Sequence, residues 1–262
     1  MDLVVSIGGV PVRLRTCDQS YAQILQQRYA AFLQPSAPPE AFQLDIHLAP
    51  PLDGAADQDL QVSRDSGHWR ARRGDFQLDW DPATRRGSTR HSANPYSIDS
   101  ALRVLHTFLL ARQGGFLLHA ASAVRDGRAF LFSGLSGAGK TTIANLAPPD
   151  VTLLTDEISY VRPQAGAYWA FGTPFAGELA RAGANVAAPV AALYLLAQGP
   201  QTRVEPVTPA QAARALLRNI LFFAADAELV RLVFQSACEF LRQVPVFQLE
   251  FAPTPAVWEV IR

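Results

Sequence analysis

A glycine-rich stretch in the middle of the chain has the residue types and spacing of a phosphate-binding P-loop, or Walker A motif. It reads FLFSGLSGAGKTT, Phe130 to Thr142, and contains Gly134-x4-Gly139-Lys140-Thr141. An apolar strand precedes it and a helix is predicted to follow, which is the context that such a loop needs. Its glycines let backbone N–H groups converge on phosphate oxygens, while the lysine serves the β/γ-phosphates and the threonine serves Mg²⁺. The predicted nucleotide-binding residues are Gly134, Ser136, Gly137, Ala138, Gly139, Lys140, Thr141 and Thr142.

Lys140 is the only lysine among 23 basic residues, the other 22 being arginines. Schiff-base enzymes, pyridoxal-phosphate enzymes and two-lobed protein kinases each depend on a particular lysine. A chain that uses arginine almost everywhere else has lysine here, where a compact point charge fits a phosphate cradle better than a planar guanidinium. The lysine count therefore favours nucleotide binding at this loop over the other lysine-dependent chemistries.

Two further groups are predicted to lie at neighbouring strand ends. His119 is on the strand before the loop, and Asp156 and Glu157 end the strand that follows the loop helix. Paired carboxylates beside bound phosphates can hold Mg²⁺ and accept a hydroxyl proton. The alternatives are a turn or helix cap for Asp156 and a hydrogen-bonded core histidine for His119.

The segments LLHAASAVRDGRAFLFSGLSGAGKTTIANL and LLTDEISYV together resemble the catalytic domain of HPr kinase/phosphorylase and its stand-alone relatives. The resemblance covers Phe116 to Ala197. It implies a phosphoenolpyruvate-carboxykinase-like fold and transfer of the γ-phosphoryl group of ATP to a serine hydroxyl. It also implies that Asp156 is the catalytic base and a metal helper, and that His119 places the phosphate or the nucleophile.

The chain departs from that family at several positions. Glu157 stands where the family has its second aspartate, and Glu178 and Arg181 are only loose counterparts of its glutamate-and-arginine motif, with weak substrate roles. The C-terminal tail that grips the HPr protein is not recognisable. Carboxykinases of the same fold use a further active-site lysine, which this chain lacks, so a kinase is favoured.

The pattern along the chain predicts an α/β protein of two domains. Residues 1–95 form a small α+β N-terminal subdomain, with a hairpin at Gly8-Gly9, a helix capped by Asp18 and a linker from Asp81 to Pro95. Residues 96–262 form the P-loop catalytic domain, whose first helix is capped by Ser97. The 262 residues are 49% hydrophobic, enough to bury a core in each part.

The charge balance does not favour a polyanionic partner. The chain has 23 basic and 23 acidic residues, so no net field recruits nucleic acid or a membrane. Seven arginines between Arg64 and Arg90, with Trp69 and Trp80, would suit an acidic peptide or nucleic acid. We instead predict the solvated face of a meander, because four nearby aspartates offset them. Two distant cysteines, Cys17 and Cys238, indicate free thiols, and the absence of a signal sequence predicts a cytoplasmic protein.

These observations predict a Mg-ATP-dependent serine kinase that transfers the γ-phosphoryl group to a hydroxyl of a peptide, protein or small molecule. Lys140, Asp156 and His119 are its expected catalytic residues, and Thr141, Glu157 and Asp156 its expected Mg²⁺ ligands. The alternative is an ATP-binding accessory protein whose partner performs the chemistry. The acceptor, the choice of nucleotide and the oligomeric state, a homo-oligomer included, are left open by the sequence.

Overall fold

The structure is a computed structural model that describes residues 1–50, 59–179 and 182–261. The chain divides into two compact units, Met1–Phe108 with Phe222–Ala227, and Leu109–Leu221 with Glu228–Arg262. Each unit has a mixed sheet and helices, so the predicted α/β class is confirmed. A carboxykinase-like fold for the second unit stays a prediction. No helix in the described ranges is long and apolar enough to cross a membrane.

The first unit is built on a mixed sheet. Its strands are β1 Asp2–Ile7, β2 Val10–Thr16, β3 Leu33–Gln34, β4 Phe42–Leu48, β5 Gln61–Asp65, β6 His68–Arg73, β7 Phe76–Asp81 and β8 Arg86–His91. Its helices are α1 Gln19–Arg28 and the part of α2 (Pro95–Ala111) up to Phe108. The strand order is β3-β1-β2-β4-β8-β7-β6-β5, with β4 parallel to both β2 and β8 and the other pairs antiparallel.

Local signals in the sequence set several of these elements. Gly8 and Gly9 have φ of 58° and 75°, the left-handed values that a two-residue hairpin turn needs, so the predicted hairpin is confirmed. The predicted helix cap is also confirmed, because the Asp18 carboxylate accepts the backbone N–H of Tyr21 at 2.7 Å.

Two predictions for this unit are wrong. The segment predicted as a linker contains β8, which completes the sheet between β4 and β7 although only Thr89 and His91 of its side chains are buried. A strand held mainly by backbone pairing shows little hydrophobic alternation, which is why the pattern missed it. Ser97 does not cap α2, because the helix begins at Pro95, and the side chain of Asn94 accepts the N–H of Tyr96.

The two tryptophans of the arginine-rich segment belong to the core of the first unit. Trp69 and Trp80 are each 3% exposed, and both rings make edge contacts with Phe108 at 4.7 Å between centroids. They therefore form no exposed platform on which a base could stack. At the surface, the Arg70 guanidinium donates to the Asp79 carboxylate at 2.6 Å.

The second unit has a larger mixed sheet. Its strands are β9 Phe116–Arg125, β10 Arg128–Ser133, β11 Thr152–Thr155, β12 Ile158–Gln164, β13 Ala167–Phe171, β14 Ala187–Gln198, β15 Arg203–Pro206, β16 Ile220–Leu221 and β17 Val246–Phe251. Its further helices are α3 Lys140–Asn145, α4 Pro209–Asn219 and α5 Ala227–Gln243. The strand order is β10-β9-β12-β13-β14-β17-β15, and β11 and β16 also pair with β9. Strand β10 pairs with β14 in parallel as well as with β9, which fixes it on both edges.

Strand β10 is buried on both faces. Ala129 and Leu131 join a cluster with Phe240 of α5, while Phe130 and Phe132 point the other way into a cluster with Ile143 of α3. This alternation is the period-2 geometry of a strand. The glycine-rich loop that follows Ser133 therefore starts from a rigid support.

Candidate functional site

The glycine-rich loop connects the end of β10 to the start of α3. Gly137 and Gly139 have φ of 79° and 105°, a region that side-chain-bearing residues rarely adopt. A Cβ on Gly139 would lie 2.7 Å from Cζ of Phe251, so the backbone approaches that ring as only glycine can. The loop conformation thus depends on glycines at the positions that the sequence motif marks.

The Lys140 ammonium lies within this loop. Its Nζ donates to the carbonyl oxygens of Gly134 at 3.1 Å and Leu135 at 3.3 Å, which uses two of its three N–H donors. Burial lowers the pKa of Lys140, and the carboxylates of Glu178 and Glu157 partly offset that effect. The ammonium is therefore held by the loop backbone, and the charges of two acidic side chains act on it.

The acidic pair occupies the tight turn between β11 and β12. The Thr155 hydroxyl accepts the backbone N–H groups of Glu157 and Ile158, both at 3.2 Å, and so shapes the turn. Ile158 is paired with His119 in the antiparallel β12–β9 ladder, which brings the histidine beside the acidic turn. The Ser133 hydroxyl donates to the His119 carbonyl at 3.0 Å and joins the histidine's strand to the base of the loop.

Asp156 anchors the segment after β13. Its Oδ1 accepts the N–H of Gly177 at 3.0 Å, and its Oδ2 accepts the N–H of Leu179 at 2.8 Å. The residue is 6% exposed, and a Cβ on Gly177 would lie 2.8 Å from Oδ2 of Asp156. These two bonds fix the position of Glu178, which lies between the two donors.

Glu178 reaches the loop from this anchored segment. Its Oε2 accepts a hydrogen bond from the Thr141 hydroxyl at 2.8 Å. Across residues 1–50, 59–179 and 182–261, no three His, Cys, Asp or Glu side chains converge as a metal cage. Mg²⁺ usually takes only one or two protein carboxylates and completes its shell with water and substrate phosphates. The adjacent hydroxyl and carboxylate of Thr141 and Glu178 fit that requirement.

These groups surround one open cavity of about 200 Å³. Its lining residues are His119, Ser136, Gly137, Gly139, Lys140, Thr141, Thr142, Asp156, Glu157 and Glu178. The structure therefore brings together most of the residues singled out by the sequence. Gly134 and Ala138 contribute to the loop backbone outside this lining, and Arg181 lies outside the described residues.

Sequence reasoning missed two residues that shape the site. Gln198, at the end of β14, donates through Nε2 to the Gly137 carbonyl at 2.6 Å and fastens the loop to that strand. Thr155 shapes the acidic turn, and its position next to Asp156 was the one available signal. A lone glutamine at a strand end belongs to no motif, so its contact could be found only in three dimensions.

The comparison with known families concerns the part of the chain that holds the site. The family described as "ScmC: SynChlorMet cassette protein ScmC" matches residues 92–262, more than half of the chain. The chain belongs to this family. It has no match among curated proteins.

The assignment to the HPr kinase family is therefore wrong. The resemblance rested on short local motifs of this chain, a loop lysine, an upstream histidine and an acidic pair, whereas the family model matches residues 92–262 as a whole. Roles that depended on that resemblance, above all the base role of Asp156, now depend on geometry alone. The cavity and its contacts do not depend on the family assignment.

Proposed function

We propose that this member of the ScmC family is a Mg-ATP-dependent phosphotransferase that acts on a hydroxyl group. The observation that carries the proposal is the convergence of Lys140 and Thr141 with Glu157 and His119 around one cavity. A protein that only binds nucleotide needs the loop, but it has no need of a carboxylate and an imidazole facing it. The combination supports chemistry at the phosphates.

In this proposal the glycine-rich loop is a P-loop that holds the triphosphate. Its backbone N–H groups would donate to the phosphate oxygens, and glycines at 137 and 139 permit the required curvature. Lys140 has one N–H donor beyond its two loop carbonyl bonds, and that donor would stabilise the charge on the β- and γ-phosphates. The ammonium is already in place, so little reorganisation is needed on binding.

Thr141 and Glu178 are the proposed protein ligands of Mg²⁺. When bound, the ion would supply positive charge that offsets the negative charge developing on the phosphates during transfer. The Thr141–Glu178 hydrogen bond holds the two oxygens 2.8 Å apart. In this proposal Glu178 takes the metal role that the sequence suggested for Glu157 and Asp156.

Glu157 is the proposed proton acceptor. The acceptor's oxygen would attack the γ-phosphorus, the bond from that phosphorus to the β–γ bridging oxygen would break, and ADP would leave. The hydroxyl proton would pass to the Glu157 carboxylate. Asp156 serves here as a positioning residue, because backbone N–H groups occupy both of its oxygens. His119 lines the same cavity and would orient the γ-phosphate or the acceptor.

The description of the family suggests which molecules to test first as acceptors of the phosphoryl group. That description refers to a cassette. We therefore propose a serine or threonine hydroxyl of a peptide or protein from that cassette as the first acceptor class to test, ahead of small molecules.

A kinetic comparison tests the proposed chemistry. Glu157→Gln keeps the size and polarity of the side chain but removes its basicity. We expect kcat for phosphoryl transfer to fall by about 100-fold or more while Mg-ATP binding stays within a few-fold of wild type. Glu205→Gln, at an exposed position of β15, is the control and should leave both quantities unchanged.

The same experiment separates the two candidate functions. Mg-ATP binding by wild type with no transfer to any cassette product would support the accessory protein. Full activity in Glu157→Gln would show that another group accepts the proton.

A further inference from the structure

A second cavity adjoins the first one, in which the phosphates are proposed to bind and which is called the phosphate cavity below. It has a volume of about 510 Å³ and shares Gly139 and Thr142 with the first one. Its other lining residues are Gln198, Gly199, Phe251 and Pro253. A molecule whose phosphates lie on the loop could therefore extend past Gly139 into this second space.

The strand topology places this cavity at a favourable edge of the sheet. Strands β10, β14 and β17 run parallel, and the loop leaves the carboxyl end of β10. Gln198 and Phe251 are paired at the ends of β14 and β17. Crevices beyond the carboxyl ends of parallel strands are common ligand sites in α/β proteins.

The chemistry of the lining differs from that of the phosphate cavity. The six residues present a phenyl ring, a proline ring, two glycine backbones, an amide and a hydroxyl, with no charged side chain. This surface suits an uncharged, planar group that carries a few hydrogen-bonding atoms. It offers no cation for a phosphate, whereas the first cavity contains Lys140.

Two contacts between the lining of the second cavity and the glycine-rich loop fix the two cavities relative to each other. The Phe251 ring lies against Gly139, where a Cβ would come within 2.7 Å of Cζ. The Gln198 amide donates to the Gly137 carbonyl at 2.6 Å. Phe251 and Gln198 therefore line the second cavity and also support the loop that forms the first one.

We propose that the second cavity is the subsite for the base of the bound nucleotide. This inference rests on the proposed function, because it takes the triphosphate to lie on the loop. The base would lie beyond the paired ends of β14 and β17, beside Phe251 and Pro253, with the ribose crossing at Gly139 and Thr142.

Narrowing the second cavity tests the proposal. Pro253→Trp adds a bulky ring at an exposed lining position, and Pro149→Trp makes the same change at an exposed position that lines neither cavity. Binding of Mg-ATP and of Mg-tripolyphosphate, which has no base, would be measured by titration calorimetry. We expect Pro253→Trp to weaken ATP binding by about 10-fold or more and to leave tripolyphosphate binding unchanged. Pro149→Trp should alter neither.

The outcomes separate the subsite from the function. If Pro253→Trp leaves ATP affinity unchanged, or weakens both ligands equally, the subsite assignment is overturned while the loop's role stands. If wild type binds neither ligand, the proposed function fails, and this inference fails with it.

A second measurement needs no variant and so does not depend on folding of the tryptophan mutant. Adenosine should displace ATP yet bind together with tripolyphosphate, since the two occupy different cavities. Displacement of tripolyphosphate by adenosine would overturn the proposal.

Discussion

At the scale of single residues, the site depends on the placement of one lysine. Lys140 is held by the carbonyl oxygens of Gly134 and Leu135, with carboxylates of Glu157 and Glu178 nearby. Three N–H donors on a tetrahedral ammonium can satisfy two carbonyl groups and a phosphate together. A planar guanidinium has a fixed fork and a longer reach, so it cannot reproduce this arrangement.

Lys140→Arg therefore tests whether a positive charge at this position is by itself sufficient for phosphoryl transfer. We expect this variant to lose about 100-fold or more in phosphoryl transfer, although it keeps the positive charge. Arg214→Lys, the reverse exchange at an exposed position of α4, is the matched control and should behave as wild type. Rates with Mg-ATP and an acceptor that the wild-type protein phosphorylates give the comparison, and wild-type activity in Lys140→Arg would show that the loop geometry is not essential.

At the scale of elements, the segment after β13 is positioned by the turn between β11 and β12. Asp156 in that turn holds the N–H groups of Gly177 and Leu179, and Glu178 between them meets Thr141. The acidic turn and the loop helix are thereby coupled through a third segment. No pattern in the sequence predicts this coupling, because the donors are backbone groups.

Asp156→Asn and Gly177→Ala should loosen the segment in different ways. An amide accepts through one oxygen and presents a donor to the second backbone N–H. A methyl group at 177 would meet Glu157 Cβ at 2.7 Å. Gly177→Ala removes no acid or base, so a shared defect identifies positioning as the cause.

Both variants should raise the Mg²⁺ concentration needed for ATP binding by about 10-fold or more and speed proteolysis near residues 177–179. Asp126→Asn, in an exposed turn, is the control. If Asp156→Asn abolishes transfer while Gly177→Ala and proteolysis stay as in wild type, Asp156 is the base after all.

The elements could be predicted where local chemistry determines them. The hairpin at Gly8-Gly9 and the cap at Asp18 follow from residues adjacent in sequence. Strand β8 could not be predicted, because its place depends on backbone pairing with β4 and β7. The same distinction holds for the site: motifs marked the loop, but Gln198 and the anchoring role of Asp156 depend on distant partners.

At the scale of the whole molecule, the pH dependence of stability includes a buried histidine in the first unit. His106 on α2 is fully buried, and burial lowers its pKa from 6.5 to about 3. Below about pH 6.5, the His106 imidazole therefore binds a proton in the unfolded chain but stays neutral in the folded chain. The neutral, buried His106 therefore costs no stability above about pH 6.5. Below that pH the free energy of unfolding falls, and the loss grows as the pH falls towards 3.

The free energy of unfolding should fall accordingly with pH. Between about pH 7.5 and about pH 5.0, His106→Leu should lose about 2 kcal/mol less than wild type in urea titrations. Ile24→Leu, at an exposed position of α1, changes no titratable group, so it is the control and should show the wild-type pH dependence. An equal loss in His106→Leu and wild type would mean that other groups control acid stability.

The reaction proposed for this protein transfers the γ-phosphoryl group of ATP to an acceptor hydroxyl. The most direct measurement incubates the protein and Mg²⁺ with the cassette peptides and proteins proposed as acceptors, using ATP labelled either at the γ- or at the α-phosphorus. We expect one acceptor hydroxyl to gain γ-label and no α-label, and Lys140→Ala to give neither; this is the predicted result. Label from the α-phosphorus, or ATP binding with no labelled acceptor, would contradict it.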